Sequence, residues 1–97
     1  MRSIPFLLFV LAAPAAAVGP PAQLGLCSAC HADDGRAGPA GTPRLAGQDR
    51  DYLVAALTAY REGDRTHAAM AAIAGTLSES DIDALADWYA TREPHAP

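Results

Sequence analysis

Cys27, Cys30 and His31 fall within five residues, "CSACH", and the 97-residue chain holds no other cysteine. Several chemistries can use two thiols one helical turn apart with an imidazole on the next residue. A thioredoxin-like dithiol needs the pair at a helix start inside a βαβ unit. No part of this chain shows the apolar alternation of a strand. A structural zinc site takes four ligands, normally from two separated pairs. Only one pair is present, and His31, directly beside Cys30, is badly directed toward the same metal. A disulfide between them would close a loop too small to constrain much of the unfolded chain.

Cys-x-x-Cys-His is also the attachment pattern of c-type haem. Two thiols one turn apart can each add to one vinyl group of the same porphyrin, and the next residue then presents its imidazole to the iron. An iron that only passes electrons needs a second axial ligand. Met70 stands 39 residues beyond His31 and is the one methionine besides Met1. Its soft thioether stabilises Fe(II) and raises the reduction potential. A methionine more often fills core, but an iron with an open position makes Met70 the expected ligand. His67, about one turn earlier, is the rival ligand and otherwise a solvated loop histidine. His95 belongs to the tail.

The N-terminus begins with a short positive start, Met1-Arg2-Ser3, then the apolar run Ile4–Ala13, then the small residues "PAAAVGP". That order predicts a secretory signal peptide over residues 1–17, cut after Ala17, with a domain over 18–97. A run of about ten apolar residues is too short for a membrane span, which takes about 20. So the expectation is export to the periplasm with no span left after cleavage. A domain this small stabilises itself only marginally and usually recruits a disulfide, metal or cofactor.

There is no lysine, and seven arginines face eleven Asp and Glu. Such a chain cannot build the broad basic face a nucleic-acid binder needs. Nor does it suit an anionic membrane surface. Its charge better fits a protein partner with a basic patch.

The elements that must hold the trio read as helices and loops. Pro20-Pro21 opens a short helix running through the cysteines to about Ala32. Residues 33–48, "DDGRAGPAGTPRLAGQ", read as an irregular glycine-rich loop. A loop that large in a small domain should enclose something. Gly35, Gly38 and Gly41 would let backbone pass close to a ring edge. A helix follows from about Asp49 to Glu62, with Tyr52, Leu53, Ala56, Leu57 and Tyr60 on one face and Gly63 as its stop. "DRTHAAM" reads as a connector and "AAIAG" as one or two turns ending at Gly75. Ser78 and Asp81 form a capping-box pattern. Ile82, Leu85, Ala86 and Tyr89 then make a buried stripe that fades near Arg92.

The stretches "CSACH", "TPRLAGQDRDYL", "YREGDRTHAAM" and "LSESDIDALADWYA" resemble, in order and spacing, the bacterial class I c-type cytochromes. The likeness covers about residues 24–91. It is strongest to one half of the diheme periplasmic cytochromes c and to the haem subunit of flavocytochrome c sulfide dehydrogenase. It implies a small all-α fold of three to five short helices and a long glycine-rich loop around one covalently attached haem c. Cys27 and Cys30 would form the thioethers, with His31 and Met70 as axial ligands. Pro43 matches the proline whose carbonyl takes a hydrogen bond from the proximal histidine. Leu45 matches a residue packing on the haem. Tyr52 joins Tyr60, Trp88 and Tyr89 as core or haem-packing residues. Arg65 lies where relatives manage a propionate or the methionine loop. Relatives often carry glycine where this chain has Ala32.

The function so implied is one-electron transfer, with redox proteins as partners: an oxidase, a reductase or a flavoprotein dehydrogenase. A variant of that role is a fixed haem subunit of a flavocytochrome. A reading of another class is a haem sensor or peroxidase-type site whose distal ligand is displaceable.

Overall fold

The computed structural model describes residues 3, 5, 19–36 and 38–94. The expected leader, apart from Ser3 and Pro5, lies outside the described residues. So do the start of the expected domain at Val18 and the tail histidine His95. Among the described residues there are four helices and no strand: α1 (Leu24–His31), α2 (Arg50–Glu62), α3 (Ala68–Ala74) and α4 (Glu79–Ala90). The all-α expectation is met.

Each helix begins where local chemistry supplies the amide acceptors that a helix start lacks. Asp49 caps α2 by accepting from the Tyr52 amide at 2.8 Å, and Gly63 ends it in the left-handed conformation. In α4 the capping box is complete: Ser78 Oγ accepts from the Asp81 amide, and the Asp81 carboxylate accepts from the Ser78 amide. Helix α1 has no side-chain cap. The prolines stand just before it rather than in its first turn, and the Leu24 amide reaches the Pro21 carbonyl at 3.0 Å. Helix α3 differs most from expectation. It begins at Ala68, inside the stretch read as connector, because His67 caps it.

The packed centre is thin. Leu24 and Cys27 from α1, Leu53 from α2, Leu77, and Ile82, Leu85, Ala86 and Tyr89 from α4 form one cluster. Among the described residues, Ile82 and Leu85 are the largest side chains that are fully enclosed. The α4 stripe is therefore buried as the spacing predicted. The α2 face is less covered: Leu53 is buried, Ala56, Leu57 and Tyr60 are half-buried, and Tyr52 keeps 52% of its surface exposed. Besides packing on the core at Leu53 and Leu57, that face borders a cavity.

Helix α2 packs on both α3 and α4. At its start, the exposed Arg50 guanidinium reaches Asp83 and Asp87 across on α4, and the hydrogen bond to Asp87 leads in raising its pKa. The loop after α1 is pinned at its base, where the Leu45 and Ala46 amides both donate to the Gly35 carbonyl. Farther along, the Gly47 amide donates to the Tyr89 carbonyl at 3.0 Å, fastening the loop's end to α4.

Candidate functional site

Helices α1 to α4 and the glycine-rich loop surround a cavity of about 340 Å³. Pockets that take a small molecule or cofactor run to about 300–1,000 Å³ and are mostly apolar. The structure brings the eight candidate residues together here: Cys27, Cys30, His31, Pro43, Leu45, Tyr52, Arg65 and Met70 all border the cavity. They come from three helices and two loops, spread over 44 positions of sequence.

One helix supplies the trio. Because Cys27 and Cys30 are three residues apart on α1, both reach the cavity from nearly the same side of the helix. Cys27 is buried and Cys30 exposed, and they are free thiols. Burial pushes the Cys27 thiol up to about 11, since the thiolate would lose its hydration. His31, 7% exposed, places Nδ1 2.8 Å from the Pro43 carbonyl oxygen. A carbonyl can only accept, so Nδ1 carries the proton and donates. Nε2 is left with its lone pair available. Such an orienting bond fixes the tautomer of a metal-ligating histidine and raises its donor strength.

Met70 and Ile73, three residues apart on α3, also border the cavity. So does the α2 face of Leu53, Ala56, Leu57 and Tyr60, which adds an apolar wall. Arg44 and Arg65 border the cavity, and no carboxylate does among its described lining residues. The Arg65 guanidinium lies 4.6 Å from the centre of the Tyr60 ring, a cation–π contact that ties the Gly63–His67 strap to α2.

The loop glycines divide differently from expectation. Gly41 borders the cavity, but Gly35 and Gly38 do not. Their close approaches are to protein. A Cβ on Gly38 would meet the Cys30 carbonyl at 2.2 Å, and one on Gly35 would meet the Tyr89 ring at 2.7 Å. They let the loop lie against α1 and α4 instead of against a ring edge.

Two groups of contacts escaped the sequence. His67 is a helix cap, a role its residue type does not advertise. Trp88 and Tyr89 donate to the carbonyls of Asp33 and Ala32, at 2.6 and 3.0 Å. Aromatic spacing on α4 marks a buried face, but no local signal says which carbonyls it meets.

The donor set suits a haem. Two thiols, an oriented imidazole and a thioether border an apolar cavity whose α2 wall is half-exposed, short of the cover a protein neighbour would give. Held by this chain, the haem would be joined at Cys27 and Cys30 and would supply a single iron redox couple.

The comparisons with known proteins agree with that geometry. Residues 22–88 match the family described as cytochrome C oxidase, cbb3-type, subunit III. The chain is 39% identical over 84 residues to a protein of Thiomonas intermedia named thiosulfate dehydrogenase electron acceptor, covering 86% of this chain and 39% of that one. It is 38% identical over 74 residues to cytochrome c-554(548) of Halomonas halodenitrificans, covering 73% of this chain and 89% of the relative. Identity to cytochrome c4 of Pseudomonas aeruginosa is 34% over 72 residues, covering 74% of this chain and 36% of the relative. The chain therefore spans nearly all of one of these relatives and under two fifths of the other two. An all-helical fold, a haem-attachment pair facing an apolar cavity and these likenesses converge: the chain belongs to the class I c-type cytochromes, electron-transfer proteins that carry covalent haem c.

Proposed function

We propose that this chain is a periplasmic monohaem electron carrier, with residues 1–17 as its export leader and 18–97 as its working domain. Cys27 and Cys30 hold the haem by thioethers. His31 is the proximal ligand and Met70 the distal one. The observation that carries this assignment is the His31 Nδ1–Pro43 contact at 2.8 Å on the wall of a cavity that Met70 also borders. It leaves Nε2 as the ring nitrogen free to bind iron.

The other residues hold and shield. Pro43 keeps the imidazole in one tautomer. Leu45 and Tyr52 cover apolar surface and exclude water. Arg65, stacked on Tyr60, restrains the strap that leads to Met70. Passing one electron requires no proton transfer, so this reading assigns no general acid or base.

Partners are other redox proteins, met through small and quickly released interfaces, below about 1,200 Å². The relative named as an acceptor for thiosulfate dehydrogenase supports a dehydrogenase on the donor side. An oxidase or reductase would take the electron onward. A fixed place beside a flavoprotein would instead give a complex that survives gel filtration.

A pyridine haemochrome spectrum, taken with the mass of the exported protein, tests cofactor, stoichiometry and leader cleavage together. One haem on a chain starting at Val18 is expected. The oxidised protein should show the weak far-red methionine–iron band, and M70A should lose it. A wild type without that band, binding carbon monoxide quickly when ferrous, would instead be a sensor or peroxidase-type site.

A further inference from the structure

We propose that His67 is the positioning residue of Met70, holding the methionine's backbone against the cavity wall by capping α3. The inference rests on the reading of Met70 as distal ligand and assigns the group that fixes its place.

Apart from its packing on α2, helix α3 has little of its own to keep it folded. It is seven residues long, five of them alanine, with no acid in its first turn and no base in its last. A helix that short is marginal in water by itself. Its beginning depends on an acceptor for the first amides, which have no partner inside the helix. The side chain that supplies one is His67, whose Nδ1 accepts from the Met70 amide at 3.3 Å. Its carbonyl accepts from the Ala71 amide at 2.8 Å.

Three helices of this chain are capped in the same register, each cap reaching the third helical residue. Asp49 reaches Tyr52, Ser78 reaches Asp81, and His67 reaches Met70. Aspartate and serine are ordinary choices at this position, and histidine is not. In α3 alone, the amide that is bound belongs to the candidate iron ligand. Holding that amide fixes the first turn of the helix, and with it the point from which the Met70 side chain starts.

The approach to the cap is also fixed. Gly63 turns the chain in the left-handed conformation, and the Asp64 and Arg65 amides both donate to the Ala59 carbonyl, at 2.8 and 3.2 Å. With Arg65 over Tyr60, the strap is anchored on α2 and delivers His67 to the start of α3. Loss of the imidazole would therefore fray α3 locally at Met70 and leave the strap attached.

The test compares wild-type, H67A and H67N holoproteins. Amide hydrogen exchange at Met70 is read by NMR, with the capped Asp81 amide of α4 as internal control. The second readout is the rate at which added cyanide removes the far-red methionine–iron band. In H67A both rates should rise about tenfold, the effect of losing a helix cap, while Asp81 exchange stays as in wild type. Asparagine is a strong cap, so H67N should return both rates to near the wild-type values. Unchanged rates in H67A, or H67N behaving as H67A does, would overturn the proposal. A wild type with no such band would overturn Met70 as ligand. The exchange rates at Met70 would then still decide whether His67 is the cap.

Discussion

The Tyr89 hydroxyl donates to the Ala32 carbonyl at 3.0 Å, so the last helix holds the peptide that follows Ala32. Its neighbour Trp88 takes the next carbonyl, that of Asp33, at 2.6 Å. Two consecutive side chains of α4 thus secure two consecutive carbonyls at the exit from α1. Replacing Tyr89 by phenylalanine keeps the ring and removes the donor. A single such bond is worth about 1 kcal/mol, and Y89F should lose about that much in denaturant unfolding of the holoprotein.

The same hydroxyl makes stability depend on alkaline pH. Burial, above all, raises the Tyr89 pKa beyond the ordinary tyrosine value of 10, with smaller contributions from the Asp33 and Asp34 carboxylates. The folded protein therefore keeps its phenolic proton where the unfolded chain gives it up. This contribution is whole below about pH 10 and is lost as pH climbs through the raised value. Melting curves from pH 8 to pH 11 should fall more steeply for wild type than for Y89F. Parallel curves would place the titrating group elsewhere.

Ala32 itself is strained. Its φ of 65° and ψ of 163° lie in a region that essentially only glycine occupies. Strain of this kind costs about 1–3 kcal/mol, and glycine returns about 0.5–1 kcal/mol of that through its freer unfolded state. A32G should therefore raise the unfolding free energy by about 1 kcal/mol. A fall in the denaturation midpoint would show that the turn is not under tension.

The Cys27-x-x-Cys30-His31 pattern names its chemistry because covalent attachment demands that spacing. The Ser78–Asp81 box and the Ile82-Leu85-Ala86-Tyr89 stripe are equally local, and α4 formed as they predict. The spacing of Tyr52 to Tyr60 predicts one face of α2, and that face borders a cavity. Periodicity tells apolar from polar, and it does not tell protein from cofactor. His67 was missed as a cap because histidine seldom does that work. The glycine pattern alone suggests a ring edge for Gly35 and Gly38. Their neighbours, Tyr89 and the Cys30 carbonyl, are set by tertiary packing that no short window contains.

Gly38 gives a sharp steric test. A Cβ there would stand 2.2 Å from the Cys30 carbonyl oxygen, a backbone atom that cannot swing away as a side chain would. The loop or the end of α1 has to shift to make room. Overpacking of this kind costs about 1–3 kcal/mol. G38A should lower the unfolding free energy of the holoprotein by that range, with less haem incorporated per chain. Wild-type stability would mean that the loop does not lie this close to α1.

The thinness of the core bears on the cysteines. With Ile82 and Leu85 as the large side chains fully enclosed, little apolar surface is buried by protein alone. The half-buried face of α2 borders the cavity that the haem would fill. Apolar burial contributes about 25 cal/mol per Å², so the haem itself acts as core. C27S and C30S should each retain haem through one thioether and unfold at lower denaturant than wild type. The double variant has no tether and should yield no stable exported holoprotein. The mass and haemochrome spectrum of each secreted product check both outcomes. A double variant recovered without haem, yet melting cooperatively like the wild type, would show that this chain folds without its cofactor.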